Sequence, residues 1–192
     1  MSDLGSAVGA DVASRQARLA NGDPRARAEL ASLRRGAGRS VEDDLPAWRL
    51  VSDVVPERFQ GRDGATCAER AAFAAMTLHA LAQQSVSTGM HVMDVNAGEA
   101  FGRLSSRHRS EALERRFASL VTAASQEEAV RHLRSLVTML RTERIGMDYG
   151  ALADDLAWWD NARHRARVRT RWTRSFASSI RSTANSDQEV PA

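Results

Sequence analysis

Lysine is missing altogether: all 27 basic residues of this 192-residue chain are arginine. That absence alone excludes the Gly-x4-Gly-Lys phosphate loop, which needs an ammonium on the bound phosphates. With one cysteine, Cys67, the chain forms no internal disulfide and suits the reducing cytoplasm. No apolar run approaches the ~20 residues that cross a bilayer, so no membrane partner is expected. Residues 1–10 lack the charged start, long apolar run and cleavage site of a secretory signal. No glycine fingerprint for a dinucleotide follows a strand. The five histidines (His79, His91, His108, His132 and His164) fall into no metal-binding spacing, and no nucleophile–base–orienter set is visible. The expectation is a protein that is not an enzyme and has no metal or cofactor.

What is abundant is alanine, leucine and arginine. With only four prolines and no β-branched alternation, this favours helix. The charge is unevenly placed. Residues 103–174 hold fifteen Arg against nine Asp and Glu, a net of +6, while residues 1–102 hold eleven against thirteen. The overall +3 therefore conceals a concentrated basic region. An arginine-only bias also arises from a GC-rich genome. A guanidinium nevertheless binds phosphate with two parallel donors and stacks on bases, which an ammonium does not.

Taken in order, the chain predicts a helix over about 11–20, stopped by Asn21-Gly22. A second follows from Asp23 as N-cap with Pro24 at the first helical position, ending at Gly36. Ser40 is placed as the cap of a third, closing before Pro56. Residues 66–84 are apolar on nearly all sides and read as a buried helix, with Cys67 and His79 as a buried thiol and a satisfied core histidine. Asn96 opens a short helix. Residues 110–124 carry Leu113, Phe117, Leu120 and Val121 on one stripe. A capping-box pattern, Ser125 with Glu128, opens a helix to about Arg144. Its Leu133, Leu136, Val137 and Leu140 oppose Arg131, Arg134 and Arg141. Asp148 caps a helix to about Asp160, and the last, 162–180, has Arg163, Arg167, Arg171 and Arg174 as a ridge. Asp154, Asp155 and Asp160 are expected to pair with arginines of neighbouring helices. Trp158, Trp159 and Trp172 are expected in the core, which leaves few aromatics for base stacking. The predicted fold is all-α: about eight helices in two packed bundles, residues 1–100 and 101–180, with a disordered C-terminal tail from 181 to 192.

Several short motifs stand in a fixed order. Arg34-Arg35 ends the second helix, and Leu45-Pro46-Ala47-Trp48-Arg49-Leu50-Val51 follows. Then come Glu114-Arg115-Arg116-Phe117, His132-Leu133-Arg134 with Leu136, Asp148 opening Leu152 to Trp159, and Arg171-Trp172 with Phe176. On these residues the chain resembles the CasB family, the small subunit of type I-E CRISPR Cascade surveillance complexes. The resemblance implies a two-bundle helical protein without catalysis, paired with a second copy of itself along the belly of the complex. Its implied partners are the backbone and large subunits of Cascade, with CRISPR RNA and target DNA. Its implied role is nucleic-acid binding without sequence preference, stabilising the R-loop and the displaced strand.

Arg34, Arg35, Arg115, Arg116 and Arg134 match positions that are basic in the family. Arg107, Arg109, Arg131 and Arg141 are added from face geometry. Together these nine are the candidate nucleic-acid-binding residues. Two rival readings compete with this one. A helix-turn-helix regulator needs polar base readers, whereas residues 103–174 contain a single asparagine, Asn161. A purely structural subunit would use the same arginines on acidic protein surfaces.

Overall fold

Most helices of this fold begin where the sequence offers an oxygen to their free N–H groups. In the computed structural model, which describes residues 2–108 and 110–186, the side chains of Ser2, Asp23, Asp44, Thr66, Ser125 and Asp148 each accept from a first-turn amide. The helices are α1 (Asp3–Ala20), α2 (Pro24–Gly36), α3 (Leu45–Ser52), α4 (Cys67–Ala82) and α5 (Ala97–His108). They continue as α6 (Glu111–Thr122), α7 (Gln126–Thr142), α8 (Tyr149–Ala157) and α9 (Ala162–Ser186). Short 3-10 turns span Val41–Asp43 and Glu57–Phe59. Among the described residues there is no strand; a single parallel bridge joins His91 to Met147. The fold is all-α, as expected.

Several boundaries differ from expectation, each for a local reason. The first helix begins eight residues earlier than expected, because Ser2 caps it and Asp154 of α8 accepts from the backbone N–H of Gly5 at 2.8 Å. Ser40 precedes only the 3-10 turn, and Asp44 caps α3 instead. The Thr66–Glu69 pair forms a complete capping box. At α7 the box is half made: Glu128 N–H donates to Ser125 Oγ at 3.1 Å, but the Glu128 carboxylate takes the N–H of Ala124. The last helix runs on through residues 181–186, and 187–192 of the expected tail lie outside the described residues.

Helix α4 is the centre. It is buried nearly all round, and α2, α3, α7, α8 and α1 pack on it. Helix α8 fills the angle between α1 and α4, while α5 lies along α9 and α6 along α7. Apolar side chains from every helix join in one continuous core. His79 of α4 is buried as expected, although its Nε2 has no hydrogen-bond partner among the described residues. Cys67, expected to be a buried thiol, is exposed, because in the first turn of α4 it shares the solvent side with Arg70 while Ala68 and Glu69 face inward.

Candidate nucleic-acid interface

Helices α4 and α7 lie side by side, and the loop after α2 runs past them, leaving a groove of about 660 Å³ between the three. Val41, Phe73, Ala74 and Val130 give it an apolar floor. Arg39 from the loop, Arg70 from α4, and Arg131 and Arg134 from α7 converge on its walls. Against these four guanidinium groups stand two carboxylates, Glu127 and Asp160.

Neither carboxylate neutralises the groove. The Glu127–Arg131 pair, 3.5 Å apart one helical turn from each other, leaves both side chains mostly in water, where such pairs contribute little. Asp160 accepts the backbone N–H of Gln126 at 2.9 Å, holding the start of α7. Arg39 is 3.9 Å from the buried Asp44, at the limit of an ion pair. Arg70 donates to the Ala65 carbonyl at 2.6 Å and to Cys67 Sγ at 3.2 Å. Arg134 has no carboxylate within ion-pair distance among the described residues, and its side chain passes over Gly38. Gly38 has φ +87°, and any Cβ there would strike the Arg134 guanidinium. Only glycine meets both demands at this point.

The nine sequence candidates separate on this geometry. Arg131 and Arg134 line the groove. Arg34, half-buried, and Arg35, exposed, end α2 just before the loop that walls it. The others lie elsewhere. Arg107 donates to the Glu143 carbonyl at 2.9 Å, tying the end of α5 to the end of α7. Arg115 pairs with Glu111 at 3.3 Å on the exposed side of α6. Arg116 reaches across to Ser135 Oγ and Met139 Sδ of α7, each at 3.4 Å. Arg141, on the same helix as Arg131 and Arg134, turns away to Gln84 Oε1 at 2.9 Å. Arg109 lies outside the described residues.

Arg39 and Arg70 were not among the candidates. The one signal for Arg70 was its standing as the only arginine in a helix otherwise apolar nearly all round. Arg39 carried none, since a loop has no face to read.

On α9 the expected ridge is interrupted. Arg171 pairs with Asp155 of α8, which also accepts from the Trp172 indole N–H at 2.8 Å. Of the three acids expected to pair with arginines of neighbouring helices, only Asp155 does so. Asp154 instead accepts from Ser2 and the Gly5 N–H at the start of α1, and Asp160 from the Gln126 N–H, because each faces the free amides of a helix start. Burial pushes the Asp155 carboxyl up, and the Arg171 guanidinium and the Trp172 N–H oppose it. Arg165 and Arg169 donate to the carbonyls of Trp159 and Ala123, at 2.8 and 2.7 Å. Burial lowers the pKa of Arg169, helped by the nearby Arg165. Arg163, Arg167 and Arg174 remain exposed.

Trp159 and Trp172 are buried as expected, 5.3 Å apart between ring centres. Trp158 is not: it is 58% exposed. The Trp159 indole donates to the Ala123 carbonyl at 3.2 Å, and with that ring anchored inward its neighbour at the helix end turns outward. Among the described residues no three His, Cys, Asp or Glu side chains converge to hold a metal ion. The groove offers charge and donors, which suits an anionic chain.

The family model described as CRISPR-associated protein Cse2 matches residues 29–176. The crystal structure of CasB from Thermobifida fusca is 34% identical, with 92% of this chain and 98% of that chain covered and a TM-score of 0.77. A chain of a CRISPR RNA-guided surveillance complex shares the fold at 24% identity, with 96% and 99% covered and a TM-score of 0.76. A Cse2-family CRISPR-associated protein from Thermus thermophilus does so at 22% identity, with 88% and 97% covered and a TM-score of 0.68. Among curated protein sequences none matches the chain.

Proposed function

The chain belongs to the CRISPR-associated Cse2 family, which includes CasB, and from this premise we propose that it is the small subunit of a Cascade-type surveillance complex. It performs no chemistry. It works in the cytoplasm beside the backbone and large subunits and a second copy of itself. It holds CRISPR RNA or target DNA by the phosphate backbone, without reading sequence, and so stabilises the R-loop and the displaced strand. The observation that carries this reading is the convergence of Arg39, Arg70, Arg131 and Arg134 on one groove from three separate parts of the chain.

The physical case is one of balance. Exchanging a DNA duplex for an RNA–DNA heteroduplex is close to neutral in free energy, so a few backbone contacts tip it. Guanidinium groups that face water without strong internal partners supply such contacts, and they carry no sequence information. Arg134, with no ion-pair partner among the described residues, and Arg131, with only a weak one, are the foremost of these.

The test is binding of the full chain to unrelated single- and double-stranded oligonucleotides across a salt series. The Arg131→Ala, Arg134→Ala double variant is expected to weaken binding alike for unrelated sequences. It should also flatten the log–log salt slope by roughly one to two units, if each residue meets one phosphate. A loss confined to one sequence would favour a regulator that reads bases. Unchanged binding would remove both residues from the interface.

A further inference from the structure

Of the four tryptophans, Trp159 and Trp172 are fully buried, Trp48 is half-buried, and Trp158 alone stands in water. Leaving an indole exposed forgoes the hydrophobic stabilisation that burial would bring. Its placement is nevertheless well fixed. Trp158 closes α8, its backbone N–H donates to the Leu156 carbonyl, and its carbonyl accepts from Asn161 at 3.0 Å. The side chain is one wall of a shallow depression of about 300 Å³, whose other walls are Asn161, Arg163, His164 and Arg167. No carboxylate lines it. Arg163 and Arg167 are one turn apart on α9, both exposed and both without an ion-pair partner among the described residues.

We propose that Trp158, flanked by Arg163 and Arg167, is a base-stacking site that selects single-stranded nucleic acid. The inference rests on the reading of the arginine groove as a backbone-binding surface, and it adds a property the groove lacks. A groove of guanidinium groups binds phosphate whether the strand is paired or not. An indole face takes up an unpaired base, which a duplex keeps stacked inside. The two arginines beside it hold the flanking phosphates and can themselves stack on a neighbouring base.

Position supports a shared strand. Asp160 lines the arginine groove, and Trp158 and Asn161 on either side of it line the depression. A strand leaving the groove past the turn between α8 and α9 therefore meets the indole next. Tryptophan beside arginine also occurs at protein contacts. The absence of any carboxylate in the depression and its adjacency to the groove favour a polyanion with flat, apolar faces.

The experiment compares three probes on the full chain: oligothymidylate, an abasic strand of the same length, and a duplex. Anisotropy reads affinity and tryptophan emission reads stacking. The wild type should bind oligothymidylate more tightly than the abasic strand, with quenched emission. Trp158→Ala should lose about 5- to 100-fold in affinity for oligothymidylate, with the abasic strand and the duplex unaffected. Trp158→Phe should recover most of that loss. Because the side chain is exposed, helical content by circular dichroism should not change in either variant.

Equal binding of oligothymidylate by Trp158→Ala and wild type overturns the stacking site. If Arg131→Ala with Arg134→Ala still weakens binding in that case, the groove reading stands alone. Failure of the wild type to bind any probe at low salt overturns both readings. Loss of a protein partner in Trp158→Ala, with oligothymidylate binding intact, assigns the patch to protein contact and equally overturns the stacking site.

Discussion

His79 lies in the core, edge-on to Tyr149 with ring centres 5.1 Å apart, and the His91 ring is tilted against the same tyrosine at 6.4 Å. His91 Nδ1 accepts the backbone N–H of Tyr149 at 3.2 Å. Burial lowers the His91 pKa, while Asp148, 4.0 Å away, pulls it back up. Burial pushes His79 down from 6.5 to about 3, helped by His91 and Arg15. The unfolded chain therefore takes up a proton near 6.5 that the folded chain refuses until about 3, so stability is full above that interval and falls as pH falls through it. At pH 5 the expected loss is about 2 kcal/mol from this one residue, above the range where most carboxylates titrate. Thermal unfolding at pH 7.5 and pH 5 should show the drop, and His79→Phe should lessen it. An equal drop in the variant would place the effect on other groups. The sequence placed His79 in a buried helix as a satisfied core histidine. Its burial was read correctly; its unpaired Nε2 depends on which residues surround it in space.

Helices α5 and α9 meet more closely than side chains of ordinary size allow. A Cβ at Gly98 would fall within the backbone of Trp172, and one at Gly102 would press on the backbone of Phe176 and on Ser179. Replacing a mid-helix glycine by alanine ordinarily adds up to ~1 kcal/mol of helix stability. At Gly98 the sign should reverse, because overpacking at a fixed contact costs ~1–3 kcal/mol. Gly98→Ala should thus lower the urea midpoint, and Gly64→Ala, with nothing within 4 Å of the new methyl group, should leave it nearly unchanged. A rise for Gly98→Ala would mean that the two helices separate freely. The same logic explains why the start of α1 was not read as helix. Gly5 and Gly9 weaken the local helix signal, yet a Cβ at Gly5 would strike the Asp154 carboxylate, and one at Gly150 of α8 would strike the backbone of Gly5 and Gly9. The caps at Asp23, Ser125 and Asp148 were legible because a cap acts within three residues. The glycines were not, because their reason lies about 145 residues away.

At the scale of the whole molecule, distance along the chain decides what a sequence discloses. Arg131 and Arg134 were found because a helix places them on one face. Arg39 and Arg70 join them only through the packing of α4 on α7 and of α2 on α4, which no local pattern encodes. The same packing bears on the two bundles. By position in the chain α8 belongs to the second half, but it rests on α1 and α4, both in the first. We propose the two bundles as α1–α4 with α8, and α5–α7 with α9. On this division residues 1–100 expressed alone lack the helix that covers the inner faces of α1 and α4. That leaves apolar side chains on those faces open to water, and burying one stabilises by about 1.5–3 kcal/mol. With folded domains only ~5–15 kcal/mol more stable than their unfolded chains, this loss is enough to prevent cooperative folding. The fragment should therefore show a broad, shallow melt and bind hydrophobic dyes. A peptide covering residues 146–160 should restore a sharp transition when added in excess. If instead the fragment folds sharply alone, α8 is a passenger on the first bundle and the boundary near residue 100 holds in space as well as in sequence.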